Sequence, residues 1–134
     1  MASIDTIEGI GAKLATKLRK ARIRTTEALL KRGATKKGRD EIAEETGLTA
    51  HQILEWVNRA DLMRVKGVGE EYSDLLEASG VDTVKELRNR NAANLHAKMV
   101  EVNEAKRLVR RLPTLSMVER WVAHAKELTP VVTH

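Results

Sequence analysis

Two short glycine segments have the residue types and spacing that can bind an anion. Gly9 and Gly11 lie within Ile-Glu-Gly-Ile-Gly at residues 7–11, and Gly67 and Gly69 lie within Val-Lys-Gly-Val-Gly at residues 65–69. Glycine adopts backbone angles that a side chain forbids, so each segment predicts a tight turn before a helix. The first amides of a helix have no intrahelical partner, and with the helix dipole they form a pocket suited to a phosphate.

A row of cations follows the first glycine pair. Lys13, Lys17, Lys20 and Arg24 recur at spacings of four, three and four residues, which predicts one stripe along a helix and its exit. A second basic segment runs from Gly33 to Gly38 and is predicted to be a loop. The residues predicted to contact a polyanion are Gly9, Ile10, Gly11, Lys13, Lys17, Lys20, Arg24, Lys36 and Lys37.

The charge of the chain is concentrated in its first part. The net charge of +5 divides into +7 over residues 1–40, from eleven Lys/Arg and four Asp/Glu, and −2 over residues 41–134, from thirteen and fifteen. This asymmetry favours a polyanion contact at one end of the chain. The second glycine pair is instead followed by Glu70, Glu71, Asp74 and Glu77, whose carboxylates would repel a phosphate. We expect that turn to be structural, or the acidic helix Glu70–Glu77 to dock onto a basic partner or another copy.

Other kinds of chemistry find little support in the sequence. There is no cysteine, the four histidines are scattered, and no phosphate-binding loop, nucleophile elbow or dinucleotide fingerprint occurs. We therefore predict a non-catalytic chain with no catalytic residues, metal or cofactor. One Tyr, two Trp and no Phe disfavour stacking on single-stranded nucleic acid. No apolar run approaches membrane-spanning length or resembles a secretory signal, so the expected compartment is the cytoplasm.

The chain repeats itself. At an offset of 58 residues the two glycine segments align, Leu18 aligns with Leu76, and Thr25 aligns with Thr83. Trp56 aligns with Trp121 at an offset of 65, which places about seven extra residues between positions 91 and 114. Matching apolar and glycine positions with different surface charges indicate duplicated structure. The predicted domains are a basic unit, residues 1–60, and a unit with an acidic hairpin, residues 61–134.

The local pattern is helical almost throughout, with nine or ten short helices expected. Thr25, Thr49 and Thr83 are predicted helix caps, and Gly47 and Gly80 are predicted helix ends. Separate helices are predicted over residues 40–45, 94–102 and 105–112, and a last helix carries Trp121. The tryptophans are predicted to lie in the core. The predicted fold is all-α: two tandem five-helix units, each a helix-hairpin-helix, packed into one compact body because lobes this small gain from a shared face.

These segments resemble known families. Residues 7–15 resemble the helix-hairpin-helix of DNA repair and replication proteins, and residues 18–29 resemble the corresponding region of the bacterial RNA polymerase alpha C-terminal domain. The second half is similar to an uncharacterised bacterial helix-hairpin-helix family, a domain of unknown function. That likeness rests on residues 65–72 and 80–87 and continues through residues 100–103, 109–113 and Trp121. Together the resemblances cover nearly the whole chain and imply a fold more specifically than an activity.

Two functions follow as expectations. The first is non-catalytic binding of duplex DNA through backbone phosphates, without sequence preference because such contacts read no bases. The alternative is a protein-interaction or assembly module without nucleic-acid binding, as in the sterile-alpha-motif type of five-helix fold, which the units resemble. The basic first segment and Lys13 favour the first function, whereas the few aromatics and the acidic second hairpin favour the second.

Overall fold

Helices form most of the structure. The computed structural model describes residues 2–7 and 9–134, and within them the regular elements are eight α-helices and one 3-10 helix. The one extended pairing among these residues is a single bridge between Ser3 and Thr25. The predicted all-α fold class is confirmed, and with the 3-10 helix counted the described residues form nine helices, within the nine or ten expected.

The chain divides into two units. The first unit comprises residues up to Asp61 together with Val131–His134, and the second comprises Leu62–Pro130. The 3-10 helix Ile4–Thr6 opens the first unit, and its α-helices are α1 Ala12–Lys20, α2 Thr26–Gly33, α3 Lys36–Thr46 and α4 Ala50–Leu62, which ends at the boundary. The helices of the second unit are α5 Glu70–Ala78, α6 Val84–Leu87, α7 Ala92–Lys106 and α8 Leu115–Glu127.

The internal repeat of the sequence is also a repeat of structure. Helices α1 and α5 start and end 58 residues apart, and α4 and α8 start and end 65 residues apart. Trp56 and Trp121 hold matching places on α4 and α8, and both are buried as predicted, at 5% and 2% exposed. Each glycine turn is therefore followed by a matching succession of four α-helices.

Threonine side chains begin several of these helices. The hydroxyl of Thr25 accepts a hydrogen bond from the Ala28 amide at 3.0 Å, and Thr83 does the same for Glu86 at 3.3 Å. Thr49 accepts from the Gln52 amide at 3.1 Å. Each bond satisfies an amide that the helix itself leaves unpaired, so the three predicted caps are confirmed.

The ends of α1 and α5 are alike in backbone but differ in residue. The Ile23 amide donates to the Leu18 carbonyl at 2.9 Å, and the aligned Val81 amide donates to Leu76 at 2.9 Å. The residue just before each of these amides is left-handed: Gly80 has φ of 92°, and the first unit has Arg22 at 67°. An arginine therefore occupies a conformation that favours glycine.

Two predicted segments are wrong. The segment from Gly33 to Gly38 is not a loop, because α2 ends at Gly33 and α3 begins at Lys36, capped by the Thr35 hydroxyl on the Gly38 amide. Gly38 is explained by a close approach, since a Cβ there would overlap the backbone carbonyl of Arg32. Residues 94–102 and 105–112 are not two helices either. They belong to the single helix α7 and to a non-helical loop after it.

Each unit has a core of its own. In the second unit α5, α6, α7 and α8 supply a buried apolar cluster that includes Trp121. In the first unit the apolar faces of α1 to α4 are buried, and so is one cation, Arg39, at 4% exposed. Burial lowers the pKa of the Arg39 guanidinium, and the nearby Asp40 opposes that shift.

The buried guanidinium of Arg39 donates hydrogen bonds to backbone carbonyls. Arg39 donates to the carbonyls of Gly33 at 2.9 Å, Ala34 at 3.1 Å and Thr133 at 2.7 Å. The Thr133 amide in turn donates to the Ala34 carbonyl at 2.8 Å. Arg39 thus fastens the last residues of the chain to the turn between α2 and α3, and it is not available to a ligand.

Candidate nucleic-acid interface

The first glycine turn, residues 7–11, leads directly into α1. Glu8 within it lies outside the described residues. Gly9 has φ of 91°, and the Ile10 amide donates to the Ile7 carbonyl at 3.1 Å, which closes the turn. The side chain of Ile10 is buried at 4% exposed. Of the predicted contact residues, Ile10 therefore supports the turn through its side chain and its amide.

The second glycine turn, residues 65–69, has the same geometry. Gly67 also has φ of 91°, and the Val68 amide donates to the Val65 carbonyl at 3.0 Å. A tryptophan packs behind each turn, since a Cβ on Gly9 would lie 3.6 Å from Trp56 Nε1 and one on Gly67 would lie 3.1 Å from Trp121 Nε1. Both glycines are required by the backbone conformation.

The helices after the two turns differ from the others at their N-termini. Gly11 and Gly69 are the N-caps of α1 and α5, are extended, and make no side-chain cap hydrogen bond. The other α-helices begin with a side-chain oxygen on a first-turn amide; their caps are Thr25, Thr35, Thr49, Thr83, Asn91 and Thr114. Glycine has no side-chain acceptor, so the N-cap residues of α1 and α5 leave the partial positive charge of the first-turn amides to an anion.

Three lysines lie on one face of α1. Lys13, Lys17 and Lys20 are exposed, as predicted, and their ammonium groups have no hydrogen bond or ion pair with any described residue. At 3.6 residues per turn these positions fall within an arc of about 60°. Leu14 is half-buried and Leu18 is fully buried, so the lysine stripe borders the packed face of the helix.

A cleft at the end of α1 adds an arginine that the sequence analysis did not select. It has a volume of about 600 Å³ and is lined by Lys20, Ala21, Arg22, Arg32 and Glu45. The Arg32 guanidinium already has partners within the protein, because it donates to the Ala21 carbonyl at 2.8 Å and to Glu45 at 3.1 Å. Arg22 is exposed and lines the same cleft as Lys20, so we add it to the cations at the end of α1. The alignment of Arg22 with Gly80 is the signal that could have found it.

The remaining predicted cations are more dispersed. Arg24 follows α1, is exposed, and accepts the Ile4 amide on its carbonyl at 3.0 Å. Lys36 and Lys37 are exposed in the first turn of α3. Glu45, which lines the cleft of Lys20, is near the other end of that helix, about 14 Å along its axis. Lys36 lines a different, smaller cleft of about 200 Å³ with His51 and His134. The α1 stripe and the α3 lysines are therefore two groups.

The second turn has a different electrostatic setting. Glu70 and Glu71 stand in the first turn of α5, where a carboxylate interacts favourably with the helix dipole. Glu71 is exposed and aligns with Lys13. The Lys66 amide donates to His124 Nδ1 at 3.0 Å, within a cleft of about 370 Å³ that Trp121 and Arg120 also line. An acidic side chain, Glu71, thus occupies the position that Lys13 holds after the first turn.

Other kinds of site are not evident in the described part of the chain. Residues 2–7 and 9–134 contain no group of three or more His, Asp or Glu side chains that could hold a metal ion. Over the same residues, no helix combines the length and the hydropathy needed to cross a bilayer.

The fold and these turns define a class of protein: an all-α chain of two repeated units, each with a glycine turn before a helix that lacks a side-chain cap. The family described as a domain of unknown function, DUF4332, matches residues 8–128, and the chain belongs to that family. No solved structure matches the chain.

Proposed function

We propose that this protein binds duplex DNA through its first unit, without catalysis and without sequence preference. In this proposal the two glycine turns are helix-hairpin-helix motifs, and the first of them holds a backbone phosphate. The observation that carries the proposal is Lys13, an exposed cation without a partner in the described chain, placed in the first turn of a helix whose amides have no side-chain cap.

The surface around Lys13 favours a phosphate backbone as the ligand. Its exposed side chains on α1 are cationic or small, and they include Lys17 and Lys20. A protein surface that docks another protein is typically depleted of lysine at its centre and enriched in aromatic residues. Phosphates, by contrast, are bound by Lys, Arg and helix N-termini, and such contacts set affinity and position without reading bases.

The size of the cationic surface sets the expected strength. Three or four contacts from the α1 stripe and the cations near it would release counterions, which gives a slope of log affinity against log salt of about −3 to −4. Binding of this kind is micromolar or weaker near physiological salt.

The alternative is an assembly module that uses the acidic helix Glu70–Glu77. Glu71 is exposed and could meet a cationic surface of a partner or of a second copy. The position of Glu70 and Glu71 in the first turn of α5 also gives them a role within their own helix. Lys17 and Lys20 interact favourably with the C-terminal end of their own helix, but Lys13 lies in the first turn of α1, where a cation has no such role, and for that reason we favour DNA.

The test compares one charge reversal in each unit. Lys13→Glu should weaken binding to duplexes of unrelated sequence by roughly tenfold or more at 0.1 M salt, because one phosphate contact is lost. Glu71→Lys, at the aligned position of the second unit, should leave binding unchanged or slightly stronger. Both residues are exposed, so melting temperatures should stay near that of the wild type.

Two outcomes would count against the proposal. Equal binding by Lys13→Glu and wild type would mean that DNA is held elsewhere and that the first turn is structural only. Absence of wild-type binding at low salt, together with self-association that weakens as salt rises, would favour the assembly alternative.

A further inference from the structure

A second group of cations lies in the other unit, at the end of α7 and on the loop after it. Residues 106–111 contain four cations and no acid: Lys106, Arg107, Arg110 and Arg111. All four are exposed, and none of their side chains has a hydrogen bond or ion pair with a described residue. The near-neutral balance of residues 41–134 conceals this group, because acidic residues elsewhere offset it.

The loop is held in place by side chains. Asn103 Oδ1 accepts the Val109 amide at 3.0 Å, and its Nδ2 donates to the Val109 carbonyl at 3.2 Å. Val109 itself is buried at 6% exposed. The Tyr72 hydroxyl donates to the Arg111 carbonyl at 3.0 Å, and His96 Nε2 is hydrogen-bonded to the Pro113 carbonyl at 2.9 Å. A backbone fixed in this way does not have to become ordered on binding, so only the cationic side chains lose conformational freedom.

The first unit has no equivalent of this loop. Helices α3 and α4 are joined by Gly47–Thr49 alone, whereas α7 and α8 are joined by residues 107–114. This connection is five residues longer than that of the first unit, and so it supplies five of the seven residues by which the offset rises from 58 to 65. Arg107, Arg110 and Arg111 all lie in this longer connection.

We propose that this cationic loop is a second phosphate-binding surface for duplex DNA, distinct from both glycine turns. The loop would bind the same ligand as the first unit, duplex DNA, but through different residues. Residues 106–111 span at most about 18 Å of extended chain, a length over which duplex DNA presents roughly ten phosphates. Three of the four cations are arginines, whose planar guanidinium groups bind phosphate through two parallel hydrogen bonds. Such contacts add affinity and salt dependence but no sequence preference.

The experiment removes two cations without reversing charge. Arg110→Gln combined with Arg111→Gln should reduce the magnitude of the salt slope by about 1.8, and should weaken duplex binding at 0.1 M salt by at least about tenfold. The matched control is Lys85→Gln with Lys98→Gln, which removes two exposed cations from the same unit outside the loop and should leave the slope near that of the wild type. All four side chains are exposed, and circular dichroism checks that both variants fold.

The outcomes separate this inference from the proposed function. If the loop variant has the same salt slope as the wild type, and Lys13→Glu loses DNA binding, the inference is overturned and the proposed function stands. Loss of DNA binding in the loop variant, with binding kept in Lys13→Glu, supports the inference and overturns the proposed function. No wild-type binding at low salt overturns both.

A lipid surface is the rival ligand for the loop. Leu112 and Leu115 border it at 38% and 39% exposed, and leucines beside arginines suit an anionic bilayer. Vesicles of phosphatidylserine and phosphatidylcholine supply the probe. Vesicle binding that the loop variant loses, with an unchanged DNA slope, would assign the loop to lipid and overturn the inference. We expect the loop variant to lose DNA affinity, and we expect the wild-type protein not to bind the vesicles.

Discussion

Replacing Gly67 by alanine tests the geometry of the second turn against that of the first. Both Gly67 and Gly9 have φ of 91°, so alanine at either position is strained by about 1–2 kcal/mol. The new Cβ would lie 3.1 Å from Trp121 Nε1 at Gly67, but 3.6 Å from Trp56 Nε1 at Gly9. Only the first contact is tighter than ordinary packing. Because Trp121 is 2% exposed within the core, its ring has little room to move.

Gly67→Ala should therefore destabilise the protein by about 2–3 kcal/mol, and Gly9→Ala by about 1–2 kcal/mol. Urea denaturation followed by tryptophan fluorescence measures both, since each unit has one tryptophan, packed beside its own glycine. Unchanged midpoints in both variants would show that the turns are wrongly described. A larger loss for Gly9→Ala than for Gly67→Ala would refute the steric part of the reasoning.

Two further substitutions test the backbone. Arg22→Gly should stabilise the protein by up to about 1 kcal/mol, because the left-handed conformation of Arg22 suits glycine, as Gly80 shows at the aligned position; a lower urea midpoint would contradict this. Arg39→Met should cost about 2–4 kcal/mol, because three backbone carbonyls, including that of Thr133, lose a charged donor. The same variant should expose the last residues to carboxypeptidase, and resistance equal to that of the wild type would argue against the fastening role of Arg39.

Features encoded within a few residues were predictable from the sequence. Thr25, Thr49 and Thr83 each cap an amide three residues further on, and Gly47 has the left-handed angle that ends α3. The repeat placed Trp56 and Trp121 in the core, because burial keeps apolar positions in register while surface charges vary.

Features that depend on distant contacts were not predictable in this way. Gly38 resembles a loop residue in sequence, and only the approach of the Arg32 carbonyl explains why glycine lies in the first turn of a helix there. The loop after α7 has apolar residues at helical spacing, but Asn103 holds Val109 in a non-helical arrangement. The cations of that loop were missed because charge was summed over a long segment and not along the surface.

The central claim is that the first unit holds DNA through the phosphate contact of Lys13. The most direct measurement is the affinity of wild type, Lys13→Glu and Glu71→Lys for a random-sequence duplex, by fluorescence anisotropy over a series of salt concentrations. The account predicts a wild-type slope of at least about 3 in magnitude, smaller by about 0.9 in Lys13→Glu and unchanged in Glu71→Lys. A slope in Lys13→Glu equal to that of the wild type, or no binding by wild type at the lowest salt, would contradict it.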